Sequence, residues 1–215
     1  VTPADDDAVP GATRPDAVTA GSPAYDAVVL AGGRARRLGG ASKPDVEVGG
    51  IALLDHALAA VAGASHRVVV GPAQVARPGI ATVLEDPPDG GPVAGLAAGL
   101  AALPADGPEL VVVLACDVPR AGRVIPALLA AVGDADGARM VGADGHAQHL
   151  VAVYRRTALR TALDALPGVH GAAVHGLVGG LRLVDVVDDE GATADADTWA
   201  DVERLDAALS DRIEP

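Results

Sequence analysis

Over 215 residues the chain carries 16 Lys+Arg against 29 Asp+Glu, a formal net charge of −13, and 50% of its residues are hydrophobic although Phe is absent. That length suits one full-sized domain with a core of Ala, Val and Leu, while the acidic balance argues against nucleic acid, whose affinity comes from phosphate neutralisation, and against anionic membrane surfaces. No apolar run approaches the roughly 18 residues of a bilayer span, and the acidic N-terminus, with Asp5, Asp6 and Asp7, lacks the cationic flank and apolar stretch of a signal peptide.

Residues 1–24 are rich in Pro, Asp, Ala, Gly and Thr without a hydrophobic period, and read as a disordered leader to a domain expected over 25–215. Tyr25 to Leu30 has the length and β-branched content of a buried strand. It feeds a glycine-rich loop, L-A-G-G-R-A-R-R-L-G-G-A-S-K from Leu30 to Lys43. Gly32 and Gly33 let the backbone turn sharply and bring its N–H groups close to a ligand oxygen. Arg34, Arg36, Arg37 and Lys43 fall within 10 consecutive positions of this acidic chain, and Lys43 is its only lysine. A basic run is often only a solvated face; the glycines and the preceding strand favour a site for a small polyanion. Neither standard nucleotide fingerprint fits, since G-x-G-x-x-G is absent and Lys43 is followed by Pro44.

Pro44 to Gly50 reads as a short extended piece, Ile51 to Ala62 as a helix, and His66 to Val70 and Ile80 to Leu84 as two more strands. Strands alternating with helices predict an α/β fold: one three-layer α/β/α domain with a mostly parallel central sheet. Glu85 to Gly95, E-D-P-P-D-G-G-P-V-A-G, leads into a helix from Val93 to Leu103 with Pro92 near its first turn. Its glycines and helix start suit a phosphate or base edge, although composition alone would make it a connecting loop. With so few aromatic side chains, base recognition is expected to lean on backbone groups.

Leu110 to Ala115 is the most hydrophobic run and reads as a central strand, followed by Cys116-Asp117-Val118-Pro119. A carboxylate at the carboxyl end of a central parallel strand lies at the crevice where open α/β sheets bind ligands. Mg²⁺ takes one or two carboxylates plus substrate phosphates, which makes Asp117 the leading metal ligand. The alternative for Asp117 is an N-cap for a helix from Ala121 to Val132. Cys116, the single cysteine, forms no internal disulfide, reads as a small core residue, and fits a cytoplasmic location.

Ala138 to Gly142 and His149 to Tyr154 read as strands around the turn Ala143-Asp144-Gly145, and Leu181 to Val187 as a last strand. His146, His149, His170 and His175 are expected at solvent rather than on a metal. Asp195-Ala196-Asp197-Thr198-Trp199 precedes a helix from Ala200 to Leu209, with Thr198 or Asp197 as its cap.

Several of these stretches carry a family resemblance. L-A-G-G, then Arg37-Leu38-Gly39, then Lys43, together with Gly91-Pro92-Val93-Ala94-Gly95 and the C-D-x-P of Cys116 to Pro119, resemble the nucleotidyltransferases related to the molybdenum cofactor guanylyltransferases. That family has a glycosyltransferase-A-like, Rossmann-type domain of the nucleotide-diphospho-sugar transferase kind. The resemblance covers roughly Tyr25 to Leu209, with Gln148-His149-Leu150 on the acceptor-side strand. Ser42, Gly71, His149 and Trp199 replace an acidic residue, an asparagine and two prolines of the family pattern.

The resemblance implies Mg²⁺-assisted guanylyl transfer from GTP to a molybdopterin-type phosphate acceptor, with pyrophosphate released. It places nucleotide contacts on Leu30, Ala31, Gly32, Gly33, Lys43, Gly71, Asp86 and Asp117, and catalysis on Arg37, Lys43 and Asp117. Asp197 and Asp195 are the candidates for a second metal ligand beside Asp117. Other cofactor-biosynthesis or acceptor proteins are implied as transient partners. CTP-dependent relatives act on the same pterin, a nucleotidyltransferase for another small phospho-acceptor is the further enzymatic alternative, and a nucleotide-binding regulatory domain is the non-enzymatic one.

Overall fold

The computed structural model describes residues 22–32 and 42–210. Most of the expected leader, and the loop positions Gly33, Arg34, Arg36 and Arg37, lie outside the described residues.

The strands are β1 (Tyr25–Leu30), β2 (Glu47–Val48), β3 (Ile51–Ala52), β4 (Arg67–Val70), β5 (Ala81–Val83), β6 (Leu110–Ala115), β7 (Gly137–Val141), β8 (Ala147–Arg155) and β9 (Leu183–Val187). The α-helices are α1 (Leu53–Ala60), α2 (Gly91–Ala102), α3 (Ile125–Ala131), α4 (Arg156–Asp164), α5 (Val174–Val178) and α6 (Trp199–Ser210). Seven strands form one sheet in the order β5-β4-β1-β6-β8-β7-β9. β5, β4, β1 and β6 run parallel, β8 is antiparallel to both its neighbours, and β9 returns parallel to β7.

Both faces of this sheet are covered, so its central strands are apolar runs rather than alternating ones. Ala27, Val29, Val112 and Leu114 pack on one face with Leu54 and Ala57 of α1 and Leu128 of α3. Val28, Val111 and Val113 pack on the other with Leu96 and Leu100 of α2, Leu159 of α4 and Leu177 of α5. α2 lies close to the sheet: a Cβ on Gly99 would stand 2.5 Å from Val28 Cγ1 and 2.8 Å from Val70 Cγ2. A third cluster joins Val46, Val48 and Leu53 to Val202 and Leu205, and seats α6 beside the β2–β3 hairpin.

The chain winds outward from β1 through β4 to β5 and then returns to place β6 on the opposite side of β1. This reversal opens a crevice at the carboxyl ends of β1 and β6, where α/β sheets take their ligands.

The expected helix from Ile51 to Ala62 starts later. Gly49 and Gly50, at φ 61° and 71°, make a turn that pairs Val48 with Ile51, so Ile51 is a hairpin residue and 49% exposed. The expected helix from Ala121 to Val132 is a 3-10 turn, Ala121–Arg123, followed by α3, whose first turn carries Pro126. α4 and α5 were not expected. β8 also bulges: Arg139 pairs with Ala152, but the next residue, Met140, pairs with Gln148.

At the amino end of β1, Asp26 is 0% exposed and Arg156 is 3% exposed. The Arg156 guanidinium donates to Asp26, and to the carbonyls of Pro108 (3.0 Å) and Pro104 (3.1 Å). His66 N–H donates to the second oxygen of Asp26 at 3.0 Å, with His66 Nδ1 2.8 Å from the same oxygen. This network pins α4 and the 104–108 turn to the bottom of the sheet, away from the crevice.

Candidate functional site

Three segments meet at the crevice. Leu30 and Ala115 are in register, Cys116 N–H donates to the Leu30 carbonyl at 3.0 Å, and Ala31 N–H donates to the Val70 carbonyl at 2.8 Å. These bonds carry the sheet one residue past its strands and deliver Asp117 to the crevice. The 3-10 turn Lys43–Asp45 supplies Lys43, with Pro44 buried beside it as a steric anchor. The third segment reaches the site through Ala196, buried at 0% exposure, whose N–H donates to the Asp117 carbonyl at 2.9 Å.

The side chains then converge on one cation. Lys43 Nζ donates to Asp117 Oδ2 at 2.7 Å and also to Asp197 Oδ1. Burial works against the Lys43 ammonium, and the hydrogen bonds and charges of Asp117 and Asp197 more than offset it, holding its pKa above the ordinary lysine value. Lys43 is therefore fully charged at neutral pH. Asp195 is exposed and is not among the hydrogen-bond partners of Lys43. Its carboxyl is raised above the usual aspartate range, first by loss of water and then by the negative charges of Asp197 and Asp117.

Asp117 caps no helix; the caps of the following turn and of α3 are Arg120 and Val124. The cap of α6 is Thr198. Its N–H and hydroxyl both donate to Asp201 Oδ2, at 2.9 and 2.7 Å, and Asp201 N–H returns a bond to Thr198 Oγ1 at 3.2 Å. This reciprocal box fixes the start of α6 without using the Asp197 carboxylate, which Lys43 reaches.

Asp188 holds this segment from behind and was not singled out in the sequence. Nearly buried, it accepts from the N–H groups of Ala192 (2.9 Å) and Thr193 (2.7 Å) and from the Thr193 hydroxyl (2.6 Å). Desolvation opposes its charge, but these hydrogen bonds prevail and lower its pKa. An aspartate followed at short range by a threonine in a glycine-containing loop is the only sequence signal for it, and that pattern is common in turns.

Of the remaining expected residues, Gly33 and Arg37 lie outside the described residues. A Cβ at Gly32 would meet nothing within 4 Å, whereas one at Gly71 would stand 3.1 Å from the Ala31 carbonyl oxygen. Gly71 therefore permits the close approach of β4 to the segment after β1, and its own N–H is bonded to the Val83 carbonyl at 2.8 Å. Asp86 is exposed, next to a cis peptide bond to Pro87. Cys116 is buried, and burial with the neighbouring Asp117 charge pushes its thiol up to about 12, so it is no nucleophile at neutral pH.

His146 is exposed and paired with Asp144 at 3.0 Å, while His149 is part-buried, its pKa lowered by burial and by the Arg139 charge. Among the described residues no group of three His, Cys, Asp or Glu is placed to hold a metal ion. The donor set at the crevice is two carboxylates already converging on one positive charge. That fits a hard cation which completes its shell with substrate phosphates and water.

Residues 27–180 match the family described as the MobA-like NTP transferase domain. A curated relative, the molybdenum cofactor guanylyltransferase of Acidiphilium cryptum, is 35% identical over 190 residues, covering 84% of this chain and 93% of its own. Among solved structures, a homologue of Mycobacterium tuberculosis Rv0371c from Mycobacterium sp. strain JC1 aligns with a TM-score of 0.70 at 25% identity, covering 87% of this chain and 98% of its own. Rv0371c from M. tuberculosis H37Rv, solved in complex with manganese, aligns at 0.63 and 24% identity, covering 86% and 99%. No helix among the described residues is long and apolar enough to cross a membrane.

Proposed function

Because the chain belongs to the MobA-like NTP transferase family, and is thus a nucleotidyltransferase, we propose that it transfers the guanylyl group of GTP to the phosphate of a molybdopterin-type acceptor. The observation that carries this reading is the meeting of Lys43 with Asp117 and Asp197 at the carboxyl ends of the central strands. The guanine choice is supported by the Acidiphilium relative.

An oxygen of the acceptor phosphate attacks the α-phosphorus; a P–O bond forms there as the bond to the β-phosphate oxygen breaks, and pyrophosphate leaves. The acceptor phosphate is already ionised near neutral pH, so no general base is needed. Rate then comes from placing the two reactants and from stabilising charge on the phosphates.

A divalent cation, Mg²⁺ by the oxygen chemistry of the donors, would be held by Asp117 and Asp197, with Asp195 at the rim. Bound there, it supplies Lewis-acid neutralisation of the α-phosphate oxygens. Lys43 neutralises the triphosphate, with Arg37 assigned the same task. The chain around Leu30, Ala31, Gly32 and Gly33, with Gly71 and Asp86, borders the nucleotide. Residues 25–215 form the catalytic domain, acting in the cytoplasm, with acceptor proteins for its product as transient partners.

The test is the melting temperature with Mg²⁺ and each of GTP, CTP, ATP and UTP. A ligand at about 100 times its Kd adds roughly 2.7 kcal/mol of stability. A GTP-selective rise that is lost in Lys43→Ala is expected. A CTP-selective rise assigns the enzyme to cytidylyl transfer instead, and no rise with any nucleotide removes the reading.

A further inference from the structure

Lys43 is the only lysine of the chain. Its side chain is 18% exposed and its ammonium takes one oxygen from each of Asp117 and Asp197. These two carboxylates come from positions 80 residues apart, and the Lys43 ammonium lying against both relieves their mutual repulsion. We infer that Lys43 is the resident counter-ion of the nucleotide-free site, so that a divalent cation enters only together with a triphosphate able to take the Lys43 ammonium in exchange. The inference rests on the nucleotidyl-transfer reading above and adds to it an obligatory coupling of metal to nucleotide.

The argument is electrostatic. Each carboxylate keeps a second oxygen, but a dication drawn to the pair would still lie within several ångströms of Nζ. At such separations like charges repel strongly in a partly desolvated site. A cation arriving alone must therefore either displace the ammonium or sit beside its like charge. Pro44, buried beside Lys43, fixes the backbone from which the side chain starts, while the flexible lysine stem leaves the ammonium free to change partners. A cation arriving on a triphosphate brings phosphate oxygens to which the ammonium can pass directly. The free enzyme then carries no metal that could promote hydrolysis or bind unrelated anions, and the same lysine that guards the carboxylates becomes the phosphate ligand.

Two measurements test this. Growth on [ε-13C]lysine gives one lysine signal, that of Lys43. Mg²⁺ alone is expected to leave it unmoved, and Mg²⁺ with α,β-methylene GTP to shift it. A shift of the same size with Mg²⁺ alone overturns the inference. Nucleotide-free calorimetry with Mn²⁺ supplies the second arm: Lys43→Gln is expected to bind Mn²⁺ about tenfold or more tightly than the parent, since a like charge is removed. Equal or weaker binding overturns the inference, as does Mn²⁺ binding to Lys43→Gln that survives an added Asp117→Asn. If α,β-methylene GTP gives no melting shift, the guanylyl-transfer reading fails, and the Mn²⁺ arm still decides the role of Lys43.

Discussion

Lys43 and Asp117 are 74 positions apart in the sequence and 2.7 Å apart in the fold. The contact joins the turn after the glycine-rich loop to the end of β6, and the Asp117 carbonyl in turn receives the Ala196 N–H at 2.9 Å, which brings Asp197 to the same ammonium. One pair thus ties together the three parts of the chain that the proposed chemistry requires.

Removing either member of this pair should act on the transition state more than on folding. Lys43→Ala and Asp117→Asn are each expected to lower kcat on the order of 10²-fold or more, as loss of a preorganised charge contact does. Steady-state pyrophosphate release measures this, and a near-normal kcat in either variant contradicts the assigned role.

The Asp26–Arg156 pair at the other end of β1 predicts the opposite pattern. Arg156→Met leaves a buried carboxylate without its cation, and should cost about 3–5 kcal/mol in denaturant unfolding. Nucleotide affinity of the folded fraction should stay at the parent value. A loss under about 1 kcal/mol would show that the pair is not the clamp described.

Asp188 makes a pH prediction. Its folded pKa lies below its unfolded value of about 3.9, so its contribution is fully present above that value and is lost as the pH falls through the folded pKa. Asp188→Asn should cost about 2 kcal/mol at pH 7, as loss of hydrogen bonds to a charged group does. The gap between variant and parent should close on acidification below pH of about 4. A gap that is unchanged at acid pH would assign the effect to packing.

Gly99 tests the close approach of α2 to the sheet. Gly99→Val has no space against Val28 and Val70 and should destabilise by about 1–3 kcal/mol or more. Equal or greater stability in thermal unfolding would contradict the packing.

Much of this was legible in the sequence. β1 and β6 were placed to the residue because a buried parallel strand is a continuous apolar run bounded by polar or glycine-rich turns, and the crevice follows from where such strands end. Leu53, Leu54, Ala57 and Leu58 set a helical period that extends backward onto Ile51, while the Gly49-Gly50 turn ties it to Val48. α4 was missed because it begins at Arg156, directly at the end of β8, with no turn residue between. Its partner Asp26 sits in an apolar strand 130 positions away, and nothing local announces the pairing. Asp188 has only a common local mark, because its partners are backbone N–H groups together with the Thr193 hydroxyl.

The most direct test of the central claim is to follow the α-phosphorus. With [α-32P]GTP, Mg²⁺ and purified molybdopterin-type acceptor, label should move into the acceptor in step with pyrophosphate release, and Asp117→Asn should slow both on the order of 10²-fold or more. Label that stays on the nucleotide, or that moves only from [α-32P]CTP, would contradict guanylyl transfer.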